Sequence, residues 1–389
     1  MISYGINISL PDINKSDFTF TPDVENNTIL FGIKGIARVN SDLAKAIING
    51  RPFDSLEDFL NRIKLNKLSI VNLIKAGCFD RLEGKPRVSI MKNYINSISD
   101  QKNKLTLQNM AMLIRENCIP EDFINSVHVY NFNKYLKNFK EGIDYILDER
   151  ALNFYSKKYD MDLVQQKDDG QFFIKQKDWD KIYKKEMEDI KDELKNNPAI
   201  LNNLNNKLFN NVWFKYASGS ISKWEMDSVN FYYHEHELAH IDKDRYYISD
   251  YTYLSEEPEV EKTWTNNEGV EIPLFKLNRI CGTVIDKDKN KNLVILLTDN
   301  GVVNVKIYRA QFSKYDKQIS VKNEITGKKT VIEKSWFSRG NKLMIVGIRR
   351  GDTFVPKMYK NHPTFDYPIE LITDINSQGI IEVAGERAE

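Results

Sequence analysis

Two clusters of titratable side chains have the types and spacing for chemistry. His236-Glu237-Leu238-Ala239-His240 satisfies the pattern H-E-x-x-H. On a helix, imidazoles at i and i+4 share a face and can hold zinc, with Glu237 as general base. His234 adds to the set, and Glu257 or Glu259 could be the third ligand. Yet no long apolar helical pattern surrounds the motif, and no clear second helix follows it. The bland alternative is a histidine-bearing turn. The second cluster is Asp12-Ile13-Asn14-Lys15-Ser16-Asp17. Metal-dependent nucleotidyl transfer needs carboxylates that converge on two divalent cations. Alternate residues on a strand share a face. The partner of Asp12 is therefore the uncharged Asn14, and Asp17 lies an odd number of positions away. This pattern predicts no catalytic residue and no metal site in the chain.

Composition narrows the classes that remain. The 389 residues are 41% hydrophobic, 11% aromatic and 29% charged, enough for two or three domains with real cores. Lys+Arg 56 against Asp+Glu 55 leaves a net charge of +1, so any nucleic-acid surface must come from local clustering. Cys78, Cys118 and Cys281 are odd in number and far apart, which fits reduced thiols and not a disulfide framework. No apolar run reaches a membrane span, and the N-terminus lacks a signal-peptide profile. A soluble, cytoplasmic protein is expected, with no membrane partner.

The periodicity changes along the chain. Asn40-Ser41-Asp42 precedes a helical stripe of Leu43, Ala44, Ile47 and Ile48 that stops at Asn49-Gly50. Ser55 precedes a second helix carrying Leu56, Phe59, Leu60 and Ile63, and a third runs from about 68 to 76 and stops at Gly77. Residues 101–223 are rich in Lys and Asn with helical spacing in 181–195 and 199–209, and Pro198 marks a turn between them. From Ile280 the period becomes two: Ile280, Gly282, Val284; Val294, Leu296; Val303, Val305, Ile307; Leu343, Ile345, Gly347; then Phe354. Turn sequences at 286–291, 299–301 and 349–352 separate these runs. About five short strands suggest a small OB-like barrel, although any small antiparallel sheet has the same strand count.

"YGINISLPDINKSDFTF", "FGIKGIARVNSDLAKAII" and "FDSLEDFLNRI…NKLSIVNLIKAGCFDRL" occur in this order in the first hundred residues, followed by "GKPRVSIM". "KWEMDSVNFYYHEHEL" and "GTVIDKDKNKNLVILLTDNGVVNVKIY" follow later. This ordered set resembles the C-terminal part of the alpha subunit of bacterial DNA polymerase III, the C-family replicative polymerase. The resemblance covers much of 1–100 and 224–360, and it implies an α+β multidomain chain. The implied parts are the end of the fingers (1–30), a helix-hairpin-helix DNA-binding region (31–100), a helical Lys/Asn-rich region (101–223), a linking segment (224–272), an OB-like barrel (273–372) and a tail (373–389). In the family-like block His236 occupies the position of an ordinary His-Pro-Leu element, which favours the turn over the zinc helix.

The resemblance also implies what the chain would do. Its hairpin would bring backbone N–H groups at Gly35 and Ile36 to a phosphate beside a helix N-terminus. The family pattern Gly-Val-Gly is here Gly35-Ile36-Ala37, which weakens that approach. Lys34, Arg38 and Lys45 flank the hairpin, and Lys75, Arg81, Lys85 and Arg87 follow the third helix, a stripe suited to duplex backbone. Aromatics among basic residues in the barrel suit a single strand. Of these Tyr308, Arg339, Arg349 and Arg350 are the expected contacts, and Phe312 and Phe337 are assigned to the core. The expected function is to grip primer–template and template single strand during replication. Magnesium and the palm aspartates would belong to a palm-bearing polypeptide, the expected partner along with DNA and a sliding clamp. The chain alone would then be inactive as a polymerase, whether split or truncated, in a bacterial or phage-infected cell. Gln108-Asn109-Met110-Ala111-Met112-Leu113 is the nearest string to a clamp peptide, but it lacks the aromatic end and also reads as an amphipathic helix. A stand-alone single-strand-binding accessory factor and the zinc peptidase are the alternatives.

Overall fold

The computed structural model describes residues 7–266, 268–322, 329–376 and 378–384. The chain divides into two compact units, one of residues 1–90 with 219–389 and one of residues 91–218. The first unit begins with three short strands, β1 (Asn7–Ser9), β2 (Thr21–Asp23) and β3 (Thr28–Leu30), in the order β1-β3-β2. A tight turn at Ile33–Gly35 leads to α1 (Ser41–Asn49), α2 (Leu56–Arg62), α3 (Lys67–Lys75) and α4 (Asp80–Glu83). Asn40, Ser55 and Asn66 cap the first three of these helices, accepting from the N–H groups of Leu43, Asp58 and Ser69. Their buried faces meet around Phe53, Phe59 and Phe79, whose rings pack edge to face at 5.0 and 5.2 Å. The division between the units falls within α5 (Arg87–Ile98).

The second unit contains α6 (Met110–Arg115), α7 (Ile124–Leu136), α8 (Glu149–Lys158), α9 (Gln176–Glu186), α10 (Glu188–Asn196) and α11 (Pro198–Tyr216). It also contains an antiparallel sheet of β4 (Lys140–Glu141), β5 (Asp144–Leu147), β6 (Val164–Gln166) and β7 (Phe172–Lys175), ordered β4-β5-β7-β6. The purely helical reading of 101–223 is corrected here. Strands of two to four residues are too short to show a period of two. Packing of Tyr145, Leu147 and Ile174 into the core shared with Trp179 makes them a sheet. Trp179 is fully buried and its indole N–H donates to Asn133 Oδ1 at 3.0 Å. Pro198 opens α11 at a position where a missing N–H costs nothing. The clamp-like string enters α6, where Met110 and Leu113 are fully buried. Its apolar anchors are core, so they are not presented as a clamp peptide would present them.

The first unit resumes with α12 (Ile221–Val229), turns through residue 241 and the hairpin β8 (Val260–Thr265)–β9 (Glu271–Phe275). Then come β10 (Asn278–Asp288), β11 (Leu293–Thr298), β12 (Gly301–Lys306), α13 (Arg309–Asp316), a hairpin of β13 (Ile319–Lys322) and β14 (Lys329–Glu333), β15 (Lys342–Arg350) and β16 (Thr353–Pro356). The strand order β10-β11-β12-β16-β15 closes on itself through β15–β10, from Asn278↔Gly347 to Thr283↔Lys342. In this barrel β12 and β16 are parallel and the other neighbours antiparallel. The helix between its third and fourth strands buries Phe312 and Tyr315 beside Trp336 and Phe337. This is the expected α+β arrangement of a helical hairpin region followed by an OB-like barrel. The part read as a tail is structured as far as Ala384: β17 (Ile369–Ile375) pairs with β15, and β18 (Ile381–Ala384) pairs with β17.

Barrel closure needs a residue without a side chain at 347. A Cβ there would lie 2.1 Å from the Val355 carbonyl oxygen of β16. Gly347→Ala should therefore lower stability in urea unfolding by about 1–3 kcal/mol through overpacking. Gly351→Ala, at φ +55° with open space around it, should cost about 1 kcal/mol, the strain of a left-handed residue alone.

Candidate nucleic-acid interface

The hairpin places its sequence-predicted residues together, but it uses most of its amides itself. Lys34 N–H donates to Phe18 O, Gly35 N–H to Gly32 O, Ile36 N–H to Ile33 O, and Ala37 N–H to Ser228 O. The proposed phosphate contacts by the Gly35 and Ile36 amides are corrected accordingly: those donors are occupied, and the Ile36 side chain is buried at 2% exposure. What the hairpin leaves outward are the exposed side chains of Arg38 and Lys45 and the first turn of α1 with the N–H groups of Ser41 and Asp42, while the half-buried Lys34 donates from Nζ to the Val39 carbonyl at 3.3 Å. Arg38 holds φ +65°, a left-handed conformation that Gly would adopt at no cost. Its carbonyl accepts from Ser69 Oγ at 2.8 Å, which fixes the turn against α3.

Two members of the expected stripe point elsewhere. Arg87 is 6% exposed. Its guanidinium donates to Asp80 at 2.6 Å, to the Lys75 carbonyl at 3.1 Å and to Glu225 at 3.0 Å. Burial works against its charge, and the two carboxylates sustain it. Lys75 has a side chain 12% exposed and pairs with Asp227 of α12 at 3.2 Å. Both are internal ties between α3, α5 and α12, so neither is a DNA contact. Glu225, with no exposed surface, also accepts from the N–H groups of Tyr233 and His234 at 3.0 Å each and meets His234 Nδ1 at 2.6 Å.

The H-E-x-x-H residues lie in turns and not on a helix. His236 Nδ1 accepts from Leu238 N–H at 3.0 Å, so Nε2 carries the proton and donates to Leu297 O at 3.0 Å. Both ring nitrogens are spent. Glu237 pairs with Lys342 of β15 at 3.0 Å and accepts from Tyr232 at 3.1 Å. His240 faces Glu235 at the surface. Among the described residues no group of three or more His, Cys, Asp or Glu is placed to hold a metal. The motif is a latch between the turn and the barrel, and the zinc-peptidase reading is set aside. Asp12 is likewise structural: its Oδ1 accepts from the N–H groups of Asn14 and Lys15, and Asn14 pairs with the backbone of Phe53 in both directions.

On the barrel, the end of β12, the end of β15 and the exit of β16 form a groove of about 250 Å³. Its floor is Ile307, Ile348 and Val355, and its rim carries Lys306, Tyr308, Arg350 and Lys357. Tyr308 is 72% exposed. Among the described residues Lys306, Arg350 and Lys357 make no ion pair. Arg350 and Lys357 sit over the ring of Phe275 at 5.9 and 4.9 Å, and Lys357 is 5.5 Å from the ring of Tyr359. The sequence reading reached Tyr308 and Arg350 but missed Lys357, whose signal was its place directly after the Phe-Val-Pro strand. Arg349, the neighbour of Arg350, faces the other way. It packs over Tyr251 at 4.7 Å and donates to the carbonyls of Leu254 and Gly351 at 2.7 and 2.9 Å. It braces the barrel and is not free for DNA. Arg339 is exposed near the Asn230 carbonyl, outside the groove lining. Phe312 and Phe337 are core, as expected.

Comparisons with known proteins give these geometries a context. A family model described as a helix-hairpin-helix motif matches residues 5–89. Over 396 aligned positions and 99% of the chain, the sequence is 40% identical to the probable DNA polymerase YorL of Bacillus subtilis (strain 168), of which it covers 30%. It is equally similar to a DNA-directed DNA polymerase of Bacillus phage SPbeta. A stretch of 150 residues is 33% identical to the DNA polymerase III subunit alpha of Aquifex aeolicus (strain VF5), covering 35% of this chain and 13% of that subunit. The chain thus spans less than a third of the length of these relatives.

Two outcomes follow from the buried groups. Arg87→Met strands Glu225 and Asp80 and should cost about 3–5 kcal/mol in urea unfolding. His236 has its pKa lowered from 6.5 by burial. Between that depressed value and 6.5 the unfolded chain binds a proton that the folded chain refuses, so stability falls as pH drops below 6.5. His236→Gln should lose this part of the acid sensitivity, read as a flatter melting temperature against pH than that of the unaltered chain.

Proposed function

We propose that the chain, 40% identical over 99% of its length to polymerases of Bacillus subtilis and of Bacillus phage SPbeta, is the part of a DNA polymerase III alpha-like enzyme that grips DNA. The hairpin, with Lys34, Arg38 and Lys45 around the start of α1, holds the backbone of the primer–template duplex. The barrel groove holds the template single strand, with Tyr308 as the stacking platform and Lys306, Arg350 and Lys357 near the phosphates. The observation that carries this reading is the groove: cations that make no ion pair among the described residues and an exposed aromatic on an apolar floor, on the face of a closed five-stranded barrel. Single strands are held in this way, by base stacking and an electrostatic track.

On this reading the chemistry lies with a palm carried by another part of the polymerase. There, magnesium would align the 3′-hydroxyl and the triphosphate. Asp12 does not fit that task, because one of its oxygens is committed to backbone amides. Among the described residues no helix is long and apolar enough to cross a membrane.

Fluorescence anisotropy with an oligothymidylate and with a hairpin-primed duplex tests the assignment. Tyr308→Ala should weaken single-strand binding by about 1–3 kcal/mol. Neutralising Arg350 or Lys357 should each reduce the salt slope on single strands by about 0.7. Lys45→Glu should weaken duplex binding and leave the oligothymidylate affinity unchanged. No binding at low salt would refute the proposal. Restored synthesis on mixing with a palm-bearing polypeptide would separate a polymerase part from a stand-alone accessory factor.

A further inference from the structure

The unit formed by 91–218 carries a second groove that the DNA reading does not use. It lies between the segment before α6 and the junction of α10 with α11, with a volume of about 870 Å³. That volume is within the range of clefts that hold a drug-sized ligand. Its floor is aliphatic: Leu105 and Leu194, 5% and 3% exposed, with the partly buried Leu201. Around it stand Lys104, Lys191 and Lys195, all exposed. Lys191 and Lys195 are one turn apart on α10, with Leu194 between them, so charge and apolar floor are presented side by side. No carboxylate lines the groove, and among the described residues these three lysines make no ion pair. The acids of α10, Glu188, Asp189, Asp192 and Glu193, are outside the groove lining, so within the groove the lysines stand without a carboxylate.

The lining also discriminates between classes of occupant. It contains no aromatic side chain, so a single strand would find phosphate partners but nothing on which to stack its bases. A peptide finds both of its needs: pockets for apolar side chains, and cations for acidic ones. The amides of Asn103 and Asn196 on the rim can pair with an extended backbone. We infer that this groove is a docking site for an extended acidic segment of a partner protein, in which leucine- or phenylalanine-like anchors alternate with Asp or Glu. The lysines steer and orient the segment, and the leucines retain it.

The test uses the full chain and a short fluorescent peptide with leucine and phenylalanine set between glutamates. Anisotropy should show saturable binding. Replacing the glutamates by lysines, or the apolar residues by serines, should each weaken it at least about tenfold. Lys191→Glu/Lys195→Glu should weaken the acidic peptide by a similar factor and tighten the lysine peptide, a charge exchange that no folding defect can produce. The milder Lys191→Gln/Lys195→Gln should fall between the two, with the melting temperature unchanged. Equal binding of the acidic and basic peptides, or no effect of the double substitutions, would overturn the inference. So would displacement of the acidic peptide by oligothymidylate from the unaltered chain only, which would assign the groove to nucleic acid.

Discussion

One fully buried carboxylate holds the first unit together. Glu225 of α12 meets the Arg87 guanidinium, the His234 ring and the backbone N–H groups of Tyr233 and His234. A lone carboxylate in that position would cost several kcal/mol in lost hydration, and only a near-complete set of donors makes it tolerable. That requirement joins three segments remote in sequence: the helices after the hairpin, α12, and the turn that leads to the barrel. A few residues on, Glu237 repeats the device with Lys342 of the closing strand β15 and Tyr232. His236 adds its contact to the Leu297 carbonyl of β11. The hairpin and the barrel are thus placed by two buried acids and a neutral histidine, and the surfaces available to DNA follow from that placement.

The balance of charge explains which cations remain for binding. The chain is rich in lysine, but many lysines are spent internally. Lys75 pairs with Asp227, Lys243 with Asp250 and Asp299, Lys287 with Asp316, and Lys342 with Glu237. Arg350 and Lys357 are exceptions that converge on one barrel face beside Tyr308, where Lys306 donates to the Lys291 carbonyl but makes no ion pair among the described residues. On the proposed reading, a local cluster on a nearly neutral chain would give salt-sensitive, directed binding without general adhesion to polyanions.

The helices of the hairpin region were legible because caps, stripes and the stop at Gly77 are local signals. The barrel was legible because its strands alternate over four or more residues and are separated by turn sequences. The sheet at 140–175 was not, since its strands are too short for any period and depend on the core around Trp179. Arg87 and Lys75 were misread as surface because their partners on α12 lie about 140 to 150 residues away, a separation that no charge pattern reveals. Arg349 and Arg350 show the same limit at its smallest. Adjacent on a strand, they face opposite ways, and only the structure says which one braces Tyr251 and which one lines the groove. The H-E-x-x-H string carried a false signal, since its chemistry needs a helix and the chain turns there instead.

The central claim is that the barrel groove receives the template single strand. Photocrosslinking tests it most directly, with a primed template that carries a photoreactive thymine in its single-stranded overhang and adducts mapped by mass spectrometry. The account predicts adducts on the peptides that contain Tyr308 and Lys357. Adducts confined to the unit of residues 91–218, with none at the groove, would contradict it.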